Sequence, residues 1–242
     1  MRRAFNSMNI VSVMAHQDDE MRCLGTMLKC KARGDRLAFI TLTDGSKGFV
    51  QTPDIAREDA AAIRHAEMSA LAREVNAEYI SLGELDEFLF DTADVRMKLI
   101  EAIRKVKADV IFTHFEQDYN LDHTITASLV RHCAMQSCLP VLPTSSPHLP
   151  AHPAIFMIEP HGPFHFPATH FVDITDFHAE KVRLMMMHAS QDVALEQGAG
   201  SGLRALCERI AAYRGEQVGC KYAEAFAPMH ARGAIKPFAV LP

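Results

Sequence analysis

Apolar positions along this chain alternate between short continuous runs and longer stretches where they recur every three to four residues. Residues 10–15 (IVSVMA) form the first run, and Met21, Leu24 and Leu28 follow it at helical spacing. Residues 36–43 (RLAFITLT) read as a second buried strand, preceded by the helix-ending Gly34 and followed by an Asp44-Gly45 turn. Ile63, Ala66, Leu71 and Val75 predict a helix over 57–75, and 77–82 is a short apolar third strand. Val95, Leu99, Ile100, Ile103 and Val106 predict an amphipathic helix over 94–107, and 109–114 (DVIFTH) is a fourth strand. Four strand-helix units in succession predict a parallel sheet with helices on both faces.

The alternation breaks at 139–168, which holds eight of the chain's 12 prolines and four of its 13 histidines around the apolar segment 154–158. This reads as a long ordered loop around one strand. The remaining sequence, a strand at 170–173 and helices from about 176 onward, is too small for a core of its own. One elaborated domain over 1–242 is therefore expected: a β-α core at 1–138, the proline-rich loop at 139–168 as the substrate loop, and C-terminal strand and helices at 169–242. The tail after Tyr222 is apolar but too weakly patterned to predict an element.

Composition narrows the function classes. A hydrophobic fraction of 48% and a charged fraction of 23% are those of a soluble globular protein. A net charge of −5 without a basic run argues against nucleic acid, and no apolar stretch reaches the ~20 residues of a membrane span. Met1-Arg2-Arg3 precedes too short an apolar run for a signal peptide, so a cytoplasmic protein is expected. Its six cysteines include no Cys-x-x-Cys pair; Cys23 and Cys30 share the face of the helix leucines and read as buried thiols.

The chemistry is concentrated where the first strand ends. Ala15 gives way abruptly to His16, Gln17, Asp18, Asp19 and Glu20, at the carboxyl end of a parallel strand, where open α/β sheets build sites. His16 and Asp19, three apart at a helix mouth, share a face, and Asp18 points elsewhere. A second cluster, His114 to His123, follows the fourth strand. In the strand order 3-2-1-4-5 the two loops open onto one crevice, so His16, Asp19 and His123 converge with an open coordination position, as in catalytic zinc sites. An acidic run alone is more simply read as complementing a helix N-terminus; the histidines of both clusters together favour a metal. By contrast, His65, His132, His178 and His230 read as solvated residues, and His148, His152, His161 and His165 as loop decoration. Taken alone, Asp44-Gly45 reads as a turn and Arg64 as a surface charge.

These residues carry a family resemblance. His16-Gln17-Asp18-Asp19-Glu20 resembles the His-Pro-Asp-Asp-Glu signature of the PIG-L (LmbE-like) zinc-dependent N-deacetylases, and Asp118 to His123 resembles the second signature, which usually ends His-Pro-Asp-His. TLTDG at 41–45, Arg64-x-x-Glu67, Leu85-Asp86, FVDIT at 171–175, Lys181 and HASQ at 188–191 extend the match. The resemblance implies a Rossmann-like three-layer α/β fold with a mostly parallel sheet, elaborated by the proline-rich loop and a C-terminal helical segment. It implies one Zn²⁺, or another divalent metal, held by His16, Asp19 and His123, with Asp18 as general base. Asn120 and Asp122 of the second signature are assigned to catalysis, and Arg64, Asp86 and Asp44 to substrate. Two positions depart from the pattern. Gln17 replaces the proline, and Asn120 replaces a histidine credited with stabilising the tetrahedral intermediate; an amide donates a hydrogen bond but carries no charge.

The expectation is thus an N-deacetylase acting through metal-activated water on a small amino sugar such as a GlcNAc derivative, or on a glycoconjugate. The acceptor, acyl chain and oligomeric state, a homo-oligomer included, stay open. The alternative is a metal- and sugar-binding protein that has lost catalysis at Asn120. A nucleotide-binding Rossmann protein is disfavoured, because the first β-α turn is acidic where a pyrophosphate needs glycines.

Overall fold

The computed structural model describes residues 7–162 and 164–231; the basic start at Met1-Arg2-Arg3 and the end of the tail lie outside the described residues. Seven strands among them form one sheet in the order β3-β2-β1-β4-β5-β7-β6. These are β1 (Asn9–Met14), β2 (Arg36–Thr43), β3 (Glu78–Glu84), β4 (Val110–Thr113), β5 (Ala154–Ile158), β6 (His170–Asp173) and β7 (Ala223–Pro228). The first five run parallel, with Ile10 beside both Leu37 and Val110, whereas β7 is antiparallel to β5 and β6. The fold is therefore the mostly parallel α/β architecture the pattern predicts, with β1 and β4 adjacent.

Both faces of the sheet are covered, which is why its strands read as continuous apolar runs. Val11 and Val13 of β1 join Ile40 and Ile111 in a core completed by α3 (Ala93–Lys105) and α4 (Leu121–Gln136). Ile10 and Met14 point the other way, to Phe39, Phe112 and the apolar sides of α1 (Leu24–Arg33), α2 (Arg57–Glu74), α5 (His178–Met185) and α7 (Leu203–Val218). A further helix, α6 (Ala189–Ala199), completes the set. None of the helices in the described residues is long and apolar enough to cross a membrane.

Three features differ from the pattern. The helix expected to begin near Met21 opens instead as a 3-10 turn, Asp19–Arg22, before α1 starts at Leu24. This turn aims Asp19 back at the strand end. The tail contains β7, inserted between β5 and β6; its alanines carry little strand propensity, and pairing on both sides supplies what propensity does not. The third concerns the proline-rich loop. Its first half, 139–153, is tied to the α3 side by Arg104, which donates to the carbonyls of Ser137, Leu139 and Leu142, and by Glu101, which accepts from Ser146. It reaches β5 at the amino end of the sheet, so among the described residues it is the carboxyl end of β5 and the chain just after it, 158–161, that line the site.

Candidate metal centre and active site

The carboxyl ends of β1, β2 and β4 are laced together at Ala15. Its carbonyl accepts from the Thr43 amide and hydroxyl at 3.0 and 2.8 Å, and its amide donates to His114 Nε2 at 3.0 Å. Gln17 joins this lacing, donating to the Thr43 carbonyl at 3.1 Å from a nearly fully buried side chain. Gln17, where the resembled signature has proline, thus ties β1 to β2. Gly45 beside it has φ 66°, and a Cβ there would lie 2.1 Å from the Gln17 amide oxygen. Only glycine fits that turn.

From this platform His16, Asp19 and His123 meet. His16 Nδ1 faces His123 Nε2 at 3.2 Å, and the Asp19 carboxylate lies 3.4 Å from each. Asp19 Oδ2 also accepts from the His16 amide at 2.7 Å, which fixes the carboxylate. Behind them, His16 Nε2 meets Asp86 Oδ1 at 3.0 Å and Asp122 Oδ2 at 3.6 Å, and His123 Nδ1 faces Asp118 at 3.1 Å. Carboxylates on the outer nitrogens turn the inner lone pairs toward one point, the usual support of metal-binding histidines. Two imidazole nitrogens and a carboxylate converging this closely fit a divalent metal, and without one a proton on His16 can bridge the two rings. Two other groupings, His16 with Asp86 and Asp122, and His114 with Asp118 and His123, share these atoms. The first draws on carboxylates already engaged: Asp86 accepts from the Lys47 amide, and Asp122 from the amides of Glu87 and Leu89.

Electrostatics follow from crowding. Burial depresses the His16 imidazole, but its bonds to Asp122, Asp19 and Asp86 outweigh this and hold it well above its usual range. Burial acts against the charge on Asp19, yet His123 and His114 hold its carboxyl well below the usual carboxylate range. His114, buried and facing His123, is pushed down to about 4. Burial pushes Glu20, which accepts from the Ser12 hydroxyl at 2.8 Å, up to about 8.

Other expected site residues divide. Asp18 lines the cavity beside the donor set and is paired with Arg64 at 2.7 Å; Arg64 is no surface charge but 1% exposed. Asp86 lines the cavity too. Asp44 does not: Arg57 at 2.7 Å and the amides of Ser46 and Asp86 occupy its oxygens, so it braces the loop behind the cavity wall. Asp122 likewise holds the 87–89 loop through the amides of Glu87 and Leu89, lies 3.6 Å from His16 Nε2, and is not among the residues that line the cavity. Asn120 is the N-cap of α4, its carbonyl accepting from the amides of Asp122 and His123, while its Nδ2 meets Glu87 at 3.4 Å.

Several residues escaped the sequence reading. The cavity, of about 310 Å³, is also lined by Arg22, Tyr119, Glu159, His161 and Gln191. His161 is thus part of the site rather than loop decoration, and His178 is not solvated but buried against the Tyr222 ring. Glu67 accepts from the amide and hydroxyl of Ser190 at 2.8 and 2.7 Å, so Arg64-x-x-Glu67 and HASQ form one unit. That unit brings Gln191 to the cavity, where it donates to the Gly48 carbonyl.

Comparison with known proteins agrees with this layout. The family model described as PIG-L, GlcNAc-PI de-N-acetylase, matches residues 11–134, and the chain belongs to that family. Among solved structures, the N,N'-diacetylchitobiose deacetylase of Pyrococcus horikoshii is similar at 24% identity and TM-score 0.79, covering 97% of this chain and 88% of the other. A conserved protein of Thermus thermophilus matches at 25% identity and TM-score 0.76, covering 97% of each. The 4-carboxy-2-hydroxymuconate hydratase of Pseudomonas putida superposes with TM-score 0.81 at 20% identity, over 96% of this chain and all of the other. The fold is thus shared by a deacetylase and a hydratase.

Proposed function

We propose that this protein is a divalent-metal-dependent N-deacetylase, zinc being the expected metal, that removes an acetyl group from an amino sugar or glycoconjugate. The carrying observation is the convergence of His16 Nδ1, the Asp19 carboxylate and His123 Nε2 at the wall of a cavity that also presents Asp18. A metal held there supplies Lewis acidity, polarising the acyl oxygen and acidifying water. Asp18 takes the proton from the attacking water and passes it to the departing nitrogen. Arg64 orients it through Oδ1, so the proton transfer falls to Oδ2, which Arg64 does not bind. Asn120 offers Nδ2 to the acyl oxygen, since its bond to Glu87 is long enough at 3.4 Å to be exchanged. Asp86, at 3.0 Å from His16 Nε2, and Asp118, at 3.1 Å from His123 Nδ1, keep the histidines in the required tautomer. Six free thiols suit a reducing compartment, consistent with a cytoplasmic enzyme.

The test is to load the protein with zinc and incubate it with N-acetylated sugars, scoring acetate and free amine. Equal amounts of both support the reading, and the amine excludes hydration, the reaction of the structurally similar hydratase. Absence of both from every sugar, with metal bound, would favour the sugar-binding alternative.

A further inference from the structure

Arg22 is a buried cation without an anion. It is 6% exposed, yet no carboxylate among the described residues lies within ion-pair distance of it. The acids that feel it are committed elsewhere: Glu159 to Arg214 at 2.6 and 2.8 Å, and Glu224 to Lys181 at 2.8 Å and the first amides of α1. Its guanidinium makes two long hydrogen bonds, donating to the Leu206 carbonyl at 3.3 Å and meeting His161 Nδ1 at 3.4 Å. Leu206 and His161 both line the main cavity, so the guanidinium stands at that wall. A desolvated guanidinium left without a counter-charge is costly, and its remaining N–H groups still need acceptors.

Its partner on the rim is suited to the same ligand. With Nδ1 taking a proton from Arg22, the neutral His161 ring carries its own proton on Nε2 and is a donor there. Tyr119 lies between the two ends of the cavity, its ring 5.9 Å from that of His123 and 6.3 Å from that of His161. The cavity therefore has two poles: an acid-rich wall at the metal donors and a cationic one at Arg22, where the acid that lines the wall, Glu159, is already paired with Arg214.

We infer that Arg22 and His161 form an anion subsite, and that the substrate is an N-acyl amino sugar bearing a carboxylate or phosphate. This inference rests on the deacetylase reading for the sugar, but not for the anion. A planar guanidinium suits either group in bidentate fashion.

Equilibrium binding separates the possibilities. The zinc-loaded protein would be titrated with N-acetylglucosamine, its 1- and 6-phosphates, and N-acetylmuramic acid, which carries a carboxylate. At least one anionic sugar should bind roughly 10-fold or more tighter than N-acetylglucosamine, the scale of one hydrogen bond to a charged group. Arg22→Gln should abolish that preference, Arg22→Lys should retain part of it, and His161→Ala should weaken it. The wild-type comparison needs no variant, so a misfolded Arg22→Gln leaves the test intact. Which sugars are preferred distinguishes carboxylate from phosphate. Equal affinity for all four, or a preference that survives in folded Arg22→Gln, overturns the subsite. If the preference holds but no sugar releases acetate, the subsite stands and the hydrolase reading falls.

Discussion

Arg64 Nη2 lies 2.7 Å from Asp18 Oδ1, and both side chains are almost withdrawn from solvent. The pair links α2 to the turn after β1, and so makes the proposed base depend on a residue 46 positions away. Asp18→Asn keeps the acceptor for Arg64 and all metal ligands, so it should retain zinc and lose turnover by roughly 100-fold or more. Arg64→Met instead strands the carboxylate, and urea unfolding should show a loss of about 2 kcal/mol or more. An Asp18→Asn enzyme that keeps its rate would remove this residue from the chemistry.

Metal binding should be coupled to a proton. The carboxylates around His16 hold its imidazole well above its usual range, so the metal-free protein keeps it charged at neutral pH. A metal needs the neutral ring, and each metal bound near pH 7 should therefore release about one proton. Calorimetry in buffers of different ionisation enthalpy measures this number directly. In elemental analysis His16→Ala, Asp19→Ala and His123→Ala should each empty the site; full occupancy in all three would sink the assignment.

Asn120 serves two roles that substitutions can separate. Its carbonyl caps α4, so Asn120→Ala should cost about 1 kcal/mol of stability. Asn120→Asp keeps the capping oxygen and loses the amide donor. If Nδ2 assists the acyl oxygen, the aspartate variant should be nearly as stable as wild type yet slower by at least about 10²-fold. Comparable rates in the two proteins would leave Asn120 a cap and nothing more.

Glu20 predicts a pH dependence of stability. Its carboxyl is fully buried and pushed from 4.5 up to about 8, chiefly by that burial. The folded protein therefore keeps a proton that the unfolded chain gives up. This contribution is complete below about pH 4, declines as pH rises, and is gone above about pH 8. Glu20→Gln should be more stable than wild type by over about 1 kcal/mol at pH 9, because each tenfold change in proton affinity on folding is worth about 1.36 kcal/mol. Urea unfolding of the metal-free proteins at pH 5, 7 and 9 checks this; the same pH dependence in both would contradict it.

The donor set was legible because its members lie in two compact local signatures, each at the end of a strand whose apolar run is unmistakable. Adjacency of β1 and β4 then came from topology alone. The features that stayed hidden depend on long-range partners. Asp44 and Asp122 have the composition of site residues, but Arg57 and the 87–89 amides claim them. Arg22 has no local pattern that marks it, because nothing in the neighbouring sequence reveals that the acids around it are already paired. His161 sits in a proline-rich segment without periodicity. For β7, three alanines and a buried Glu224 erase the alternation that would mark a strand.

That last strand has a consequence for how the molecule comes into being. Glu224 accepts from the amides of Gly25 and Thr26, partners 199 and 198 residues earlier, and β7 fills the gap between β5 and β6. A ribosome delivers the metal-donor loops first, but the bonds that finish α1 wait until almost all of the described residues have emerged. Until then β5 offers an open edge and Lys181 has no counter-charge. Completion of α1 and of the sheet is thus tied to the late arrival of β7, and the nascent chain holds His16, Asp19 and His123 before the frame around them is complete.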